Sequence, residues 1–330
     1  MNAPTRPIPT AADVDAAAER LKGVAVRTPL VYSPILSERT GGRIFIKPET
    51  LQRTGSFKFR GAYNRAVQIP ESQRAAGVVA CSSGNHAQGL AAAAKLLGMP
   101  AVIVMPHDAP ALKRDRTKAL GAEVVGYDRV TEDREAIAAA IAAERGAIFV
   151  PPYDDPDVIA GQGTVGREIC EDLAALGLSL DVVAANASGG GLMAGISLAV
   201  RARFPDALPI TAEPAAFDDH ARSYKSGNRE RNPAPSGSFC DALLAATPGE
   251  ITFAVNKTLT GGAVSATDEE VARAVAYAFL ELKLVVEPGG AVALAALLEG
   301  RIPAKDKTVA IVLSGGNVDP ATFSACLSGI

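Results

Sequence analysis

Residues 77–106 read GVVACSSGNHAQGLAAAAKLLGMPAVIVMP, and this stretch decides the fold class. It combines a short β-branched run, an alanine-rich helical pattern over residues 89–97, and a second run that is apolar on both faces. The helical pattern ends in Gly98 and Pro100, a helix-stop signal, and a strand that is apolar on both faces is typical of a buried parallel sheet. With the helix and strand that follow up to Val125, the pattern predicts a βαβαβ unit.

The same kind of unit begins again near Asp181. The strand DVVAANA, the glycine run SGGGLMAG, a helix up to Phe204 and the strand PITAE follow in order, and the chain ends on the strand TVAIVLSGGN. Ligands of open parallel sheets bind where loops leave the carboxyl ends of strands, and the glycine-rich segments lie there. We therefore expect an α/β protein with two open, doubly wound parallel sheets. Residues 218–248, rich in Arg, Ser, Asn and Pro, predict a long irregular loop.

The composition predicts two packed domains, because 330 residues with 48% hydrophobic content exceed the roughly 250 to 300 residues at which single cores stop growing. A net charge of −3 with interspersed signs favours neither nucleic acid nor a membrane as partner. No apolar run approaches the roughly 20 residues that span a bilayer, and the polar N-terminus lacks the apolar core of a signal peptide. We expect a cytoplasmic protein. Its cysteines, Cys81, Cys170, Cys240 and Cys326, have no CxxC spacing and should be reduced thiols.

The first motif with chemical potential is GSFKFRGA, residues 55–62, in which Lys58 stands between two phenylalanines at the expected start of a helix. Desolvation lowers the pKa of a lysine, which is about 10.4 when free, and a neutral amine is what Schiff-base chemistry needs. The alternative is a surface lysine whose stem merely packs beside two core phenylalanines.

The second motif is SSGNHAQG, residues 82–89, which gathers hydroxyls, a side-chain amide and backbone amides between a strand and a helix N-terminus. Such a turn is suited to an anion, for example a substrate carboxylate. Plain N-capping by Ser and Asn is the alternative, although capping explains one of these polar residues and not four in a row.

The third motif is SGGGLMAG, residues 188–195, where missing side chains let backbone N–H groups approach a phosphate closely. No GxGxxG register fits, and Ile196 and Ser197 stand where a Walker loop requires Lys and Ser or Thr. A phosphate is the natural ligand, and a tight structural turn is the alternative.

The fourth motif is LSGGN, residues 313–317, which ends the last strand and places the hydroxyl of Ser314 at the sheet edge. A hydroxyl can face a pyridine nitrogen without forcing its protonation, whereas an aspartate would keep the ring cationic. A simple glycine turn is the alternative.

In this order, the motifs form the set of contacts that one cofactor, pyridoxal 5'-phosphate (PLP), requires. With EPGGA at residues 287–291 added, the chain resembles the fold type II PLP enzymes over nearly its full length. The resemblance is to the threonine/serine dehydratase and serine racemase group, including 3-hydroxyaspartate dehydratases. It implies the tryptophan synthase β-like fold, with a large cofactor-binding domain over residues 1–76 and 152–330, a small domain over residues 77–151, and the active site in the cleft between them.

The resemblance also implies roles for individual residues. Lys58 would hold PLP covalently and then act as general base, and Ser83 would face the opposite side of the substrate and could reprotonate Cα. The implied cofactor-binding residues are Phe57, Lys58, Asn85, Ser188, Gly189, Gly190, Gly191, Leu192, Glu287 and Ser314. The implied substrate-binding residues are Ser82, Ser83, Gly84, Asn85, His86 and Arg134. Ser188 replaces the first glycine of the family's usual loop, and Ala242 in SFCDALL stands near an expected glycine, which puts the pocket shape in doubt.

By this similarity the reaction is a dehydration, in which L-threonine gives 2-oxobutyrate and ammonia and L-serine gives pyruvate and ammonia. Arg134 lies near the position of an arginine that approaches a bound dicarboxylate, so 3-hydroxyaspartate, giving oxaloacetate, is an alternative substrate. The neighbouring charges of TEDREA make a solvated helix arginine equally compatible. Because of Ser83, racemisation of the amino acid is an alternative reaction. β-Replacement enzymes such as cysteine synthases share this fold and cofactor, so β-replacement is another alternative. A non-catalytic binding protein is disfavoured, because it would not need Lys58.

A divalent cation, Mg²⁺ or else Mn²⁺ or Ca²⁺, is implied by EPAAFDD, in which Glu213, Phe217 and Asp219 match the ligand positions of the racemase-like branch. Oxygen ligands suit these ions, although neighbouring carboxylates on a loop are usually just solvated. His107 and His220 stand in polar segments without ligand spacing. The family further implies a homodimer or homotetramer with a small amino acid as its substrate.

Overall fold

The structure is a computed structural model that describes residues 7–82, 84–109, 111–128, 130–234 and 236–329. Its strands are β1 (Val31–Tyr32), β2 (Arg43–Pro48), β3 (Val78–Cys81), β4 (Ala101–Pro106), β5 (Glu123–Tyr127), β6 (Ile148–Phe149), β7 (Val182–Asn186), β8 (Leu208–Pro214), β9 (Ala263–Ala266) and β10 (Thr308–Leu313). Its helices are α1 (Ala11–Leu21), α2 (Pro34–Thr40), α3 (Lys58–Val67), α4 (Glu71–Arg74), α5 (Asn85–Leu96), α6 (Ala111–Ala119), α7 (Arg134–Arg145), α8 (Pro156–Ala175), α9 (Gly191–Arg203), α10 (Asp219–Ser226), α11 (Glu250–Leu259), α12 (Asp268–Leu280), α13 (Pro288–Leu298) and α14 (Pro320–Ser328). Short 3₁₀ turns cover Glu49–Leu51, Arg53–Gly55 and Asp241–Leu243.

The strands form two sheets, which confirms the predicted α/β class. The larger sheet has the order β1-β2-β10-β7-β8-β9, and its strands are parallel except for β1, which is antiparallel to β2. The smaller sheet has the order β5-β4-β3-β6 and is parallel throughout. Every residue of the central strands β7 and β10 is buried, as expected where helices cover both faces of a parallel sheet.

Helix α5 begins earlier than the sequence predicts. The alanine pattern predicts a start at Gly89, but the helix starts at Asn85. Its first turn is polar and yet buried, since Asn85, His86 and Gln88 are all at most 9% exposed. Because these side chains face the protein interior, hydrophobic periodicity could not locate the true start of the helix.

Two further expectations were wrong. The chain does not end on a strand, because α14 follows β10, with Pro320 at its start and the side chain of Asp319 accepting a hydrogen bond from the Thr322 amide at 2.9 Å. The stretch over residues 218–248 is not wholly irregular, because it contains α10. Helix α10 carries few apolar residues, so its sequence shows no helical periodicity.

A buried ion network fixes α3 against β2 and α8. Arg60, on α3, binds Glu49 at 2.8 Å and Glu168 at 2.7 Å, and Lys47 binds Glu168 at 2.6 Å. Arg60, Lys47 and Glu49 are fully buried. Buried charges are tolerated only when they are paired and hydrogen-bonded, so these residues depend on one another.

All four cysteines are buried and free. Within the described ranges, no helix is both long and apolar enough to cross a bilayer.

Candidate active site

Lys58 is the first residue of α3, as predicted, and the backbone before it is held by the loop after β10. The Phe57 amide donates to the Ser314 carbonyl at 3.1 Å. The Lys58 ammonium donates to the Pro152 carbonyl at 2.6 Å and lies 5.1 Å from the centre of the Phe57 ring. Burial lowers the pKa of Lys58 to about 8. An amine with this pKa has a far larger neutral fraction near physiological pH than an ordinary lysine, and reaction with an aldehyde requires the neutral form.

The glycine loop over residues 188–190 joins β7 to α9 and presents unpaired amides. Among the described residues, none accepts a hydrogen bond from the backbone N–H of Ser188, Gly189 or Gly190. The next N–H belongs to Gly191, at the first position of α9, where an α-helix has no partner for it. Consecutive free amides at a helix N-terminus form a site for a phosphate. The residues present therefore fit the phosphate of PLP.

Side chains are excluded from this loop by close neighbours. Gly190 has φ +90, and a Cβ built on it would lie 2.6 Å from Cε1 of His220. A Cβ on Gly189 would lie 2.3 Å from the ring of Tyr153. Only glycine fits both positions, because one needs a left-handed backbone and the other needs the space that the tyrosine ring fills.

Ser314 is oriented by Asn186, the last residue of β7. The Asn186 amide donates to the Ser314 hydroxyl at 3.0 Å and to the Gly290 carbonyl at 2.8 Å, and its oxygen accepts from the Ala293 amide at 2.6 Å. Because the hydroxyl accepts from Asn186, its own proton remains free to point to another acceptor. The hydroxyl thus has the hydrogen-bonding capacity that a pyridine nitrogen needs.

Asn85 joins the loops after β3 and β10. Its amide donates to Glu287 Oε1 at 2.5 Å, and its oxygen accepts from the Asn317 amide at 2.7 Å. Burial, and second the charge of Asp241, raise the pKa of Glu287 to about 7. Glu287 is therefore about half protonated near pH 7, where an ordinary glutamate is fully ionised.

The segment with Ala242 lies against the EPGGA motif. A Cβ built on Gly289 would lie 3.1 Å from the Ala242 methyl group. The neighbouring Asp241 forms an ion pair with Lys113 of α6, which follows a strand of the smaller sheet. This segment therefore connects both sheets beside Glu287.

His86 is buried in the first turn of α5, and its Nε2 lies 2.9 Å from the Val150 carbonyl. A carbonyl can only accept, so Nε2 carries the proton. Burial, and second the charge of Lys58, lower the pKa of His86 to about 3, so the ring is neutral. Its Nδ1 has no partner among the described residues. In the same loop the Ser82 hydroxyl accepts from the Gly84 amide at 3.2 Å, and Ser83 lies outside the described residues.

The predicted capping alternative for this loop finds no support in the described part of the chain, because no side chain there caps α5.

Arg134 is exposed at the first position of α7, and its carbonyl accepts from the Cys81 thiol at 3.0 Å. Since Cys81 ends β3, Arg134 lies beside the loop that begins at Ser82.

Two of the three predicted cation ligands, Glu213 and Asp219, lie close together. One oxygen each of Glu213 and Asp219 and a ring nitrogen of His220 lie within 4.8 Å of one another, all on buried residues. Asp219 Oδ2 has no partner among the described residues, and in that part of the chain nothing donates to the Phe217 carbonyl. Burial first, and then the neighbouring Asp219, raise the pKa of Glu213 well above its ordinary value, and burial raises that of Asp219 to about 6. These oxygens fit a hard divalent cation.

Sequence reasoning missed Tyr153, Asn186 and His220. His220 was set aside for lack of ligand spacing, yet it follows Asp219 directly, and its ring lies against the glycine loop. A polar residue that ends an apolar strand, as Asn186 does in VVAAN, is the signal that could have identified one of them.

Comparison with known proteins agrees with this geometry. A protein-family profile described as "Pyridoxal-phosphate dependent enzyme" matches residues 21–315. The chain is 44% identical over 317 residues to an L-threo-3-hydroxyaspartate ammonia-lyase from Pseudomonas sp, a match that covers 96% of this chain and 98% of that one. It is 38% identical over 321 residues to the serine racemase of Schizosaccharomyces pombe, covering 97% and 98%.

Among solved structures, a threonine deaminase from T.th. superposes with a TM-score of 0.88 at 42% identity, covering 94% of this chain and 99% of that one. The profile match spans most of the chain, and it includes Lys58, the glycine loop and Ser314. The chain therefore belongs to the family of pyridoxal-phosphate-dependent enzymes.

Proposed function

We propose that the protein is a PLP-dependent ammonia-lyase that converts a small β-hydroxy amino acid into a 2-oxo acid and ammonia. The observation that carries this proposal is Lys58, a buried amine of lowered pKa. It binds the Pro152 carbonyl, and the next residue, Tyr153, lies against the amide-rich glycine loop. The ammonia-lyase and deaminase names of two of the relatives above support the reaction class.

Each polar part of PLP would have a partner among these residues. The amides of Ser188, Gly189 and Gly190 would hold the phosphate, Asn85 the ring hydroxyl and Ser314 the ring nitrogen. When bound, PLP withdraws electrons from the substrate Cα and so makes its proton removable. Lys58 is the base that takes this proton at Nζ, and a pKa of about 8 suits the task near neutral pH.

We further propose 3-hydroxyaspartate as the preferred substrate, with L-threonine and L-serine as the alternatives. Arg134 supports this choice, because it lies beside the Ser82 loop, where a second carboxylate would need a cation. Among the described residues it forms no ion pair, so its charge is available. The Pseudomonas relative described above is named for the same substrate.

We propose that a divalent cation, Mg²⁺ or else Mn²⁺ or Ca²⁺, binds Glu213, the Phe217 carbonyl and Asp219. The unpaired oxygen of Asp219 supports this site.

We also propose domain boundaries at residues 76/77 and 151/152, since β3 to β6 all lie between them. We further propose that the protein is a homodimer or homotetramer, which analytical sedimentation would test.

Substrate preference is tested by kcat/KM for L-threo-3-hydroxyaspartate, L-threonine and L-serine in the wild type and in Arg134→Met. A hydrogen bond to a charged group contributes about 1.5 to 3 kcal/mol, so Arg134→Met should lower kcat/KM for 3-hydroxyaspartate by about 10- to 100-fold. The value for L-threonine should change little. Arg145→Met is the matched control, because Arg145 is also exposed, ends the same helix and pairs with Glu123 at 2.7 Å.

If wild type prefers L-threonine and Arg134→Met alters no substrate, Arg134 is a surface residue and the preferred substrate is L-threonine or L-serine. Formation of a D-amino acid in the same assays would indicate racemisation instead.

A further inference from the structure

The backbone carbonyls of the glycine loop accept hydrogen bonds from side chains on α10 and α11. His220, Thr252 and Asn256 donate in this order to the carbonyls of the three residues 188–190, at 2.8, 2.6 and 3.1 Å. In a planar trans peptide the C=O and the N–H point in opposite directions. These hydrogen bonds hold the carbonyls of residues 188–190 on one side of the loop. The N–H groups of residues 189–191 therefore point to the other side.

Within the described residues, His220 is the only one of these three donors that is also connected to the carboxylates of Glu213 and Asp219. It follows Asp219 in the chain, and its backbone N–H donates to Glu213 Oε1 at 2.7 Å. The next amide, that of Ala221, donates to Glu213 Oε2 at 2.9 Å. The turn of α10 that carries the imidazole is thus connected to both proposed carboxylate ligands, Glu213 through hydrogen bonds and Asp219 through the chain.

The orientation of the His220 ring is fixed on both sides. Because the Ser188 carbonyl can only accept, Nε2 is the protonated nitrogen and Nδ1 is an acceptor. The Tyr224 hydroxyl lies 3.2 Å from Nδ1 and 3.0 Å from the Thr211 hydroxyl, so it donates to the ring and accepts from threonine. With both nitrogens engaged, the imidazole is not itself a cation ligand in this arrangement.

The ring also packs against the loop. Gly190, at φ +90, leaves no room for a methyl group in front of Cε1 of His220. A shift of the first turn of α10 therefore reaches the loop both through the hydrogen bond to Ser188 and through this contact.

We propose that His220 is a positioning residue that couples the Glu213/Asp219 pair to the glycine loop, so that a divalent cation and the phosphate of PLP bind cooperatively. This inference rests on the proposed cation site. Without a cation, Asp219 Oδ2 is buried and unpaired beside a second carboxylate. A cation would draw both carboxylates to fixed positions and so fix the turn that carries His220. By linkage, PLP must then tighten cation binding by the same factor.

The test is the dissociation constant of PLP for apoenzyme, measured by absorbance with and without Mn²⁺, together with Mn²⁺ binding measured by electron paramagnetic resonance. In wild type, Mn²⁺ should lower the PLP dissociation constant by about 5- to 150-fold, the usual range for coupled sites. PLP should lower the Mn²⁺ dissociation constant equally. Pyridoxal, which lacks the phosphate, should bind with no Mn²⁺ effect.

Variants separate coupling from simple loss of structure. His220→Leu removes the donor and should reduce the coupling factor to about one. His220→Gln places an amide N–H where Nε2 lies and should retain most of it. Thr252→Val is the matched control, because Thr252 pins the next loop carbonyl but does not touch the carboxylates. It should weaken PLP with and without Mn²⁺ by the same factor and leave the coupling intact.

The proposal is overturned if Mn²⁺ and PLP bind wild type independently, or if His220→Leu keeps the wild-type coupling factor. Wild type that binds no Mn²⁺ overturns both the coupling and the cation site. None of these results affects the proposed ammonia-lyase reaction, which is judged separately by lysine-dependent ammonia formation. If circular dichroism shows that His220→Leu is unfolded, the comparison of His220→Gln with Thr252→Val decides the outcome. The inference is contradicted if both variants lose the coupling to the same extent.

Discussion

The Lys58 ammonium donates to the Pro152 carbonyl at 2.6 Å, which ties the first residue of α3 to the segment that leaves β6. Among the described residues, this carbonyl is the hydrogen-bond partner of the amine, and no charged group pairs with it. An amine in such surroundings gives up its proton readily, because burial penalises the charged form.

Lys58 should therefore be the residue that carries the cofactor. Borohydride reduction of the PLP-loaded protein, followed by peptide mapping, should find the pyridoxyl group on Lys58. Lys47 is an internal control, because it is also buried but is bound to Glu168. Label on Lys47, or equal label on many lysines, would contradict the assignment.

Gly190→Ala should weaken PLP binding more than the strain of its backbone alone explains. The new methyl group meets Cε1 of His220, whereas Gly227, also with positive φ, has nothing within 4 Å. Gly227→Ala should cost about 1 kcal/mol of stability and leave PLP affinity unchanged. Titration of both apoenzyme variants with PLP checks this, and equal affinities would mean that the loop tolerates the methyl group.

Glu287 should make stability depend on pH. Burial raises its pKa from 4.5 to about 7, so its contribution to stability is fully present below about pH 4.5 and is lost as the pH rises through about 7. Glu287→Gln stays neutral, and its stability relative to wild type should rise across this window by something on the order of 3 kcal/mol.

Thermal unfolding of wild type and Glu287→Gln at several pH values measures this difference, with the exposed Glu281→Gln as control. Melting curves that shift in parallel for all three proteins would show that Glu287 is already ionised at neutral pH.

The buried ion network should be essential for stability. Arg60→Met leaves Glu49 and Glu168 without their main partner and should lower the free energy of unfolding by about 3 to 5 kcal/mol. Arg27→Met removes only partly exposed pairs, with Glu171 and Asp172, and should cost about 1 kcal/mol or less. Urea unfolding of both variants compares them, and similar losses would argue against the network.

Local chemistry was readable from the sequence. Lys58 at a helix start, the glycine loop and Ser314 at a strand end were all predicted, because each lies in a short segment whose composition matches its backbone. Parallel strands bring such segments to one sheet edge, which is why the strand pattern also predicts a shared cleft.

Contacts between segments that are distant in the chain could not be predicted from the sequence. Asn186 meets Ser314 across 128 positions, and His220 meets Ser188 across 32. No local pattern encodes such pairings, since they depend on how the sheets are ordered. Helix α14 and the early start of α5 were missed for a different reason, because their exposed or polar turns lack an apolar period.

The most direct test of the central claim is the reaction itself. PLP-loaded enzyme with Mg²⁺ is incubated separately with L-threo-3-hydroxyaspartate, L-threonine and L-serine, and 2-oxo acid and ammonia are measured against Lys58→Ala as the blank. We predict equal amounts of 2-oxo acid and ammonia from at least one substrate, with 3-hydroxyaspartate fastest, and none from the variant. No lysine-dependent ammonia from any of the three would contradict the ammonia-lyase assignment.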